Sequence, residues 1–200
     1  MDILITGSTG KIGWALKNKI RELKPEWNVL EFKRTPDSDL KNESDIVRKF
    51  LEYNPDVVVH LAVTRNPMEI PRIRDVETMA TDTKMLFDLL RYSRNTKRFL
   101  YASSCAVYGF EPTDSIEPDF VAGNIIHLIE HEAYSDGYSC VNLSTNNYPT
   151  SMEINPYLHE KEHTVINGVS KYINEHILKC WSRENNIPAI SMRIFPVKKG

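Results

Sequence analysis

Short apolar runs alternate with stripes of helical period along this chain. Ile3-Leu4-Ile5 is a continuous apolar run that predicts a strand covered on both faces, Asp56–Ala62 reads as a second buried strand, and Asn28–Phe32, Arg98–Ser104 and Pro188–Phe195 read as further strands. Between them lie helical stripes. One runs from Lys11 to Leu23, with Ile12, Ala15, Leu16, Ile20 and Leu23 facing inward, and ends at Pro25. Another covers Ser44–Tyr53 with Ile46, Val47, Phe50 and Leu51, and Asn54-Pro55-Asp56 breaks it. A longer one spans Asp75–Asn95 on Val76, Met79, Thr83, Leu86, Leu89 and Leu90. The last covers Val165–Arg183 on Ile166, Val169, Tyr172, Ile173, Ile177 and Trp181. The opening order of strand, helix, strand, helix, strand predicts an α/β fold. It is a doubly wound parallel sheet with helices on both faces and right-handed crossovers. Residues 110–165 are poorly patterned, with a short helix expected near Ile125–Ala133 and an extra strand at Tyr138–Leu143. The reading is a single domain, 1–200, with an irregular insert at about 110–165.

The first strand runs into Thr6-Gly7-Ser8-Thr9-Gly10-Lys11-Ile12-Gly13. Gly7 suits a tight turn at the strand end, Gly10 leaves room for a phosphate at the backbone, and Gly13 lets the helix pack on the strand. The free N–H groups around Lys11 and Ile12 then face an anion. An ordinary strand-to-helix turn is the plain alternative. Lys33 and Arg34 end the second strand, where a dinucleotide's adenosine ribose would sit. An acidic residue there holds a ribose 2′-hydroxyl and an arginine accommodates a 2′-phosphate, so Arg34 favours NADP over NAD. Glu31 lies off the tip by strand alternation, and two solvated basic residues in a turn remain the other account.

The charge balance is 25 Lys and Arg against 27 Asp and Glu, a net −2, which gives no electrostatic footprint for nucleic acid. No apolar run is long enough to span a membrane and no leader pattern opens the chain. Cys105, Cys140 and Cys180 form neither a disulfide framework nor a C-x-x-C pair, so a reducing cytoplasm is the expected setting.

Four stretches in order carry a resemblance: Thr6–Gly13, Val58-Val-His60-Leu-Ala62, Tyr101-Ala-Ser-Ser-Cys-Ala-Val-Tyr-Gly109 and Gly168-Val-Ser-Lys171. Together they resemble the extended short-chain dehydrogenase/reductase family, the NAD(P)-dependent epimerases, dehydratases and reductases of nucleotide sugars. The resemblance implies a Rossmann-like fold. It implies a cofactor site at Gly7, Thr9, Gly10, Lys11, Ile12, Gly13, Arg34, Asp39, Leu40, Leu61, Ala62 and Lys171. It also implies hydride transfer at a sugar carbon. A tyrosine four residues before the helical lysine acts as acid and base, the lysine binds the nicotinamide ribose, and a serine polarises the substrate oxygen. Lys171 fills the lysine place and Ser104 the serine place. Residues Phe32–Leu40 look most like the GDP-fucose synthase and deoxysugar-reductase branches. Family members often pair through two helices from each subunit, which makes 75–95 and 165–183 the candidate faces for a homodimer.

Two departures matter. The tyrosine place holds Asn167, whose amide donates and accepts hydrogen bonds but exchanges no proton near neutral pH. General acid–base catalysis contributes about a hundredfold to ten-thousandfold, so the family's redox chemistry would be crippled unless another group steps in. Tyr157-Leu-His-Glu-Lys161 imitates the Tyr-x-x-x-Lys spacing ten residues too early and lacks the long apolar helix that follows Lys171, so it reads as a coincidence, with Tyr157, His159 or His163 folding over the site as the other account. The second departure is that the smaller C-terminal substrate region is absent or minimal. A shortened chain, a minimal form whose insert supplies the pocket, and a degenerate nucleotide binder all stay open. The catalytically degenerate binder, with a regulatory or partner-binding role, is the alternative function.

Rival chemistries are weaker. His159-Glu160-x-x-His163 and the inverted His127…Glu130-His131 imitate zinc motifs without a third ligand at a family spacing, so no metal is expected. A serine hydrolase built on Ser104 lacks the Gly-x-Ser-x-Gly elbow.

Overall fold

A computed structural model describes residues 1–36, 38–64, 73–110, 112, 114–131, 137–146, 148–158 and 162–198, with the side chains of 73–75 and 162–164 left aside. His159, Lys161 and the imidazole of His163 therefore lie outside the described part. Six parallel strands form the sheet: β1 Asp2–Thr6, β2 Asn28–Phe32, β3 Val57–His60, β4 Arg98–Ser104, β5 Tyr138–Leu143 and β6 Ala189–Ile194. Five helices connect them: α1 Lys11–Leu23, α2 Glu43–Tyr53, α3 Ile73–Tyr92, α4 Pro118–Glu130 and α5 Glu162–Asn185. The strand order is β2-β1-β3-β4-β6-β5. The doubly wound α/β fold expected from the patterning is the fold observed. No helix among the described residues is long and apolar enough to cross a membrane.

Alternate residues of each strand feed two cores. Ile3, Ile5, Val57, Val59, Ile190 and Met192 pack against α1 and α4. Leu4, Val58, Phe99, Tyr101 and Ala189 pack against α2, α3 and α5. Local chemistry sets the element ends. The Asn42 side chain accepts from the Ser44 N–H at the start of α2, and Asn54 at φ 41° closes it in the left-handed region. Pro118 opens α4 at the position where a missing N–H costs nothing. The last carbonyls of α4, Leu128 and Ile129, each accept at 2.6 Å from the guanidinium of buried Arg98 on β4.

The first three connections share one hand, and the last two take the opposite one. From β1 to β2 the chain steps one way along the sheet across the α1 face, and from β4 to β5 it steps the opposite way across that same face. Reversing direction on one face reverses the hand. The same holds for β5-α5-β6 against β3-α3-β4, which share the other face. The hand shared by the early repeats thus stops at β4. Strand twist favours the usual hand, and the exceptions here run through the long stretches 105–137 and 144–188.

Four helical stripes need correction. Leu23, Leu51 and Val76, expected inside, are exposed. On α5, Ile173 points outward, while Ser170, Lys171, Asn174 and Glu175 are buried. The helix expected near 125–133 begins earlier, at Pro118.

Candidate functional site

The sheet's switch point lies between β1 and β3, where successive connections leave in opposite directions. Open α/β sheets hold ligands there, beyond the carboxyl ends of the strands. Thr6 closes β1, and its hydroxyl accepts the Ala62 N–H at 3.2 Å. The same hydroxyl is hydrogen-bonded to His60 Nδ1, 2.7 Å away. Burial, followed by the charge of Lys171, lowers the His60 pKa to about 3, so the imidazole is neutral at neutral pH.

Gly7 turns at φ +70°, and a Cβ there would lie 2.7 Å from the Ala62 nitrogen. The loop after β3 can approach only because that side chain is missing. Gly13 permits a second close approach, since a Cβ on it would sit 2.4 Å from the Gly7 carbonyl oxygen. Gly10 differs. It is the α1 N-cap, with no side-chain hydrogen bond to the helix, and a Cβ there would meet only the Gly7 oxygen at 3.3 Å. The first-turn N–H groups of Lys11, Ile12 and Gly13 face the open space above Gly10 without an intrahelical partner. That cradle fits a diphosphate.

Beside the turn lies a groove of about 480 Å³. Gly7, Thr9 and Gly10 form one wall, Leu61 and Ala62 another, and Arg34, Asp39 and Leu40 the far rim. Of the cofactor residues expected from the sequence, Gly7, Thr9, Gly10, Arg34, Asp39, Leu40, Leu61 and Ala62 line this groove and Lys11, Ile12 and Gly13 lie in the adjoining helix turn, whereas Lys171 does not line it. Lys33 and Lys41 also line the rim, and sequence reading had not given Lys41 a role. Arg34 is well exposed, with Nε 3.3 Å from Asp39 Oδ2. Glu31 takes no part, because it pairs with Lys17 at 2.8 Å and Lys33 at 3.2 Å. Burial opposes its charge, but the hydrogen bonds from Lys17 and Lys33 outweigh that and hold its pKa at about 2.

The other cluster sits at the tips of β4 and β6. Ser104 caps the short 3₁₀ turn Cys105–Tyr108, its Oγ accepting from the Ala106 N–H at 3.2 Å. Lys171 is buried on α5; its Nζ donates to the Ala102 carbonyl at 2.8 Å and lies 4.8 Å from the centre of the Tyr101 ring. Ser104 and Lys171 are thus tied to the same strand end. Gly168 lets α5 seat there, because a Cβ on it would fall 2.5 Å from the Ala106 carbonyl oxygen. Asn167, one turn before Lys171, is exposed. Beneath this surface Arg193 of β6 binds Glu175 of α5, and Glu175 accepts from Ser103 at 2.5 Å. Sequence reading missed that pair, although Glu175 follows Lys171 by one helical turn. It also missed Asp82, whose carboxyl accepts the Thr64 N–H at 2.7 Å and whose pKa burial raises. The His127 and His131 rings lie 4.7 Å apart at the end of α4.

Solved structures share this fold. One is the UDP-glucose 4-epimerase of Thermotoga maritima with UDP-glucose, at 18% identity and a TM-score of 0.64, over 96% of this chain and 55% of that one. Another is a GDP-mannoheptose C4 reductase from Campylobacter jejuni with NADP bound, at 14% identity and 0.63, over 96% and 51%. A third is the Thermus thermophilus UDP-glucose 4-epimerase in complex with NAD, at 16% and 0.61, over 96% and 54%. The chain spans about half the length of these structures. No curated protein matches the sequence. The model of the NAD dependent epimerase/dehydratase family matches residues 3–148, from β1 past β5. With the glycine turn, the switch-point groove and the Ser104–Lys171 strand end all within one sheet, the chain belongs to the NAD dependent epimerase/dehydratase family.

Proposed function

We propose that this chain binds a nicotinamide dinucleotide along the glycine turn and works on a nucleotide sugar, as an epimerase, dehydratase or reductase acting by hydride transfer at a sugar carbon. The observation that carries the reading is the uncapped start of α1 above Gly10, opening onto a groove rimmed by Lys33 and Arg34. The backbone of Lys11, Ile12 and Gly13 would hold the diphosphate, and Leu61 and Ala62 would wall the adenosine side. When bound, the dinucleotide supplies a hydride acceptor or donor. Arg34, with Lys33 beside it, favours the 2′-phosphate of NADP over the free hydroxyl of NAD. Ser104 and Lys171 would position the substrate oxygen and the ribose. We read 1–200 as one NAD(P)-binding domain in the cytoplasm. The exposed Phe87 of α3 and Ile173 of α5 offer a homodimer face.

A second reading rests on Asn167. A side chain unable to exchange protons, set one turn before Lys171, fits a dinucleotide binder that has lost catalysis and serves a regulatory or partner role. Calorimetry with NADP(H) and NAD(H) tests the cofactor, and absence of binding by both would sink the first reading. Turnover of a UDP- and GDP-sugar panel by wild type and by Asn167→Tyr separates the two. A silent wild type with an active variant supports degeneration, and an active wild type supports the enzyme.

A further inference from the structure

A second groove opens beside the glycine turn, between the starts of α1 and α4. It holds about 700 Å³, against about 480 Å³ for the first. Thr9 and Gly10 line both grooves, and beyond those two residues the walls have nothing in common. The turn is therefore a ridge with a groove on each side. Cavities of about 300–1,000 Å³ are the size that small organic ligands fill. On α1, Lys11 and Trp14 stand three residues apart and share a face, and Ala15 keeps the floor low. Pro118 and its two acidic neighbours, Glu117 and Asp119, form the α4 side. Lys198 closes the rim and is held by the backbone. The Ile116 N–H donates to the Pro196 carbonyl at 2.7 Å, and the Lys198 N–H donates to the Ile116 carbonyl at 2.9 Å. The Lys11 ammonium then donates to the Lys198 carbonyl at 3.1 Å, which ties α1 to that rim.

The chemistry of this wall is mixed in a particular way. Trp14 is 61% exposed, so packing within the chain leaves much of the indole open for stacking. The Lys198 ammonium pairs with the Glu117 carboxylate, and both side chains are more than half exposed. An ion pair so open to water contributes little and gives way readily to a phosphate. The groove thus offers a flat aromatic face, two ammonium groups and two carboxylates. A plain anion trap has no use for Glu117 and Asp119, and an apolar ligand has no use for four charges. A nucleoside diphosphate uses all three kinds of group. Its base stacks on an indole, its phosphate oxygens accept from ammonium donors, and its ribose hydroxyls and base N–H groups donate to carboxylates.

We propose that this second groove takes the nucleoside diphosphate end of the nucleotide sugar, with its base on Trp14 and its diphosphate on the Lys11 and Lys198 ammonium groups. The inference rests on the nucleotide-sugar reading above. The nucleotide binds alongside the dinucleotide and not in its place, and the two ligands adjoin at the ridge of Thr9 and Gly10.

The test uses UDP and GDP as probes, titrated by calorimetry into wild type, Trp14→Ala and Lys198→Ala, each saturated with NADP⁺. Both side chains are exposed, so the variants should fold, and thermal melting checks that they do. At least one of the two nucleotides should bind wild type with a Kd below about 1 mM. Trp14→Ala should weaken that binding by about tenfold or more, the effect of losing one stacking face, and Lys198→Ala should weaken it less. NADP⁺ affinity should stay within about twofold of wild type in both variants. Three results each overturn the proposal and leave the cofactor reading standing: no binding of either nucleotide, binding unchanged in Trp14→Ala, or displacement of NADP⁺ by the nucleotide. Failure of wild type to bind NADP⁺ overturns the cofactor reading by itself, and the same nucleotide titrations run without NADP⁺ still decide this groove.

Discussion

The guanidinium of Arg193 grips Glu175 with Nε 3.0 Å from Oε1 and Nη2 2.7 Å from Oε2, at 5% and 3% side-chain exposure. Glu175 keeps Arg193 charged despite burial, which alone would push its pKa down. Removing one partner strands a buried charge, which costs about 3–5 kcal/mol, whereas replacing both by apolar groups is often nearly neutral. Arg193→Met should therefore lower urea-unfolding stability by about that amount. Combining it with Glu175→Leu should recover much of the loss, and a double variant no better than the single would refute the account.

Gly13 and Gly10 should respond differently to alanine. A methyl group at Gly13 collides with the Gly7 carbonyl, so Gly13→Ala should cost about 2 kcal/mol or more and weaken dinucleotide binding together with the fold. Gly10 has φ −74°, which alanine adopts freely, so Gly10→Ala should stay within about 0.5 kcal/mol of wild-type stability. Its methyl nonetheless enters the phosphate cradle, so calorimetric affinity for the dinucleotide should fall at least about tenfold. Equal binding by Gly10→Ala and wild type would place the diphosphate elsewhere.

Among the described residues Arg34 is held by a 3.3 Å contact to Asp39, which leaves its remaining donors for a ligand. Charge-assisted arginine–phosphate contacts are the stronger kind of hydrogen bond, so Arg34→Ala should weaken NADP by about tenfold and NAD by much less. Lys33→Ala should have the same sign and a smaller effect, because its ammonium is shared with Glu31. Equal losses for both dinucleotides would remove Arg34 from the 2′-phosphate site.

His60 makes stability depend on pH. Its native pKa of about 3 lies below the 6.5 of a free imidazole, so between those values the unfolded chain carries the extra proton. The contribution is complete above about pH 6.5 and falls as pH drops toward about 3, by about 1.4 kcal/mol per pH unit. Unfolding free energies at pH 7, 6 and 5 should show this slope, and His60→Gln should flatten it.

Much of the fold could be read from patterning, and the misses share physical causes. The units up to β4 announce themselves because their strands are continuous apolar runs and their helices bury apolar stripes. Helix α5 misled the same reading. Its inner face holds Lys171, Asn174 and Glu175, which are buried because Ala102, Tyr101 and Arg193 supply their partners. Partners so distant in sequence leave no trace in a local window. The cofactor groove was legible since a glycine turn after a strand is local chemistry. The seat of residues 155–158 on Gly109 and Gly168 was not, because it exists only once the 3₁₀ turn after β4 and the start of α5 have come together.

The interposed position of β6 bears on how the chain reaches its native state. Strand β5 hydrogen-bonds to β6 alone among the described strands, yet β6 is made after it and must slide in between it and β4. Until that insertion, α4 and β5 have no ladder joining them to the remainder of the sheet. The half of the protein that carries Lys171 and Tyr157 should thus become ordered in a late step, slowed by the wide loop that has to close first.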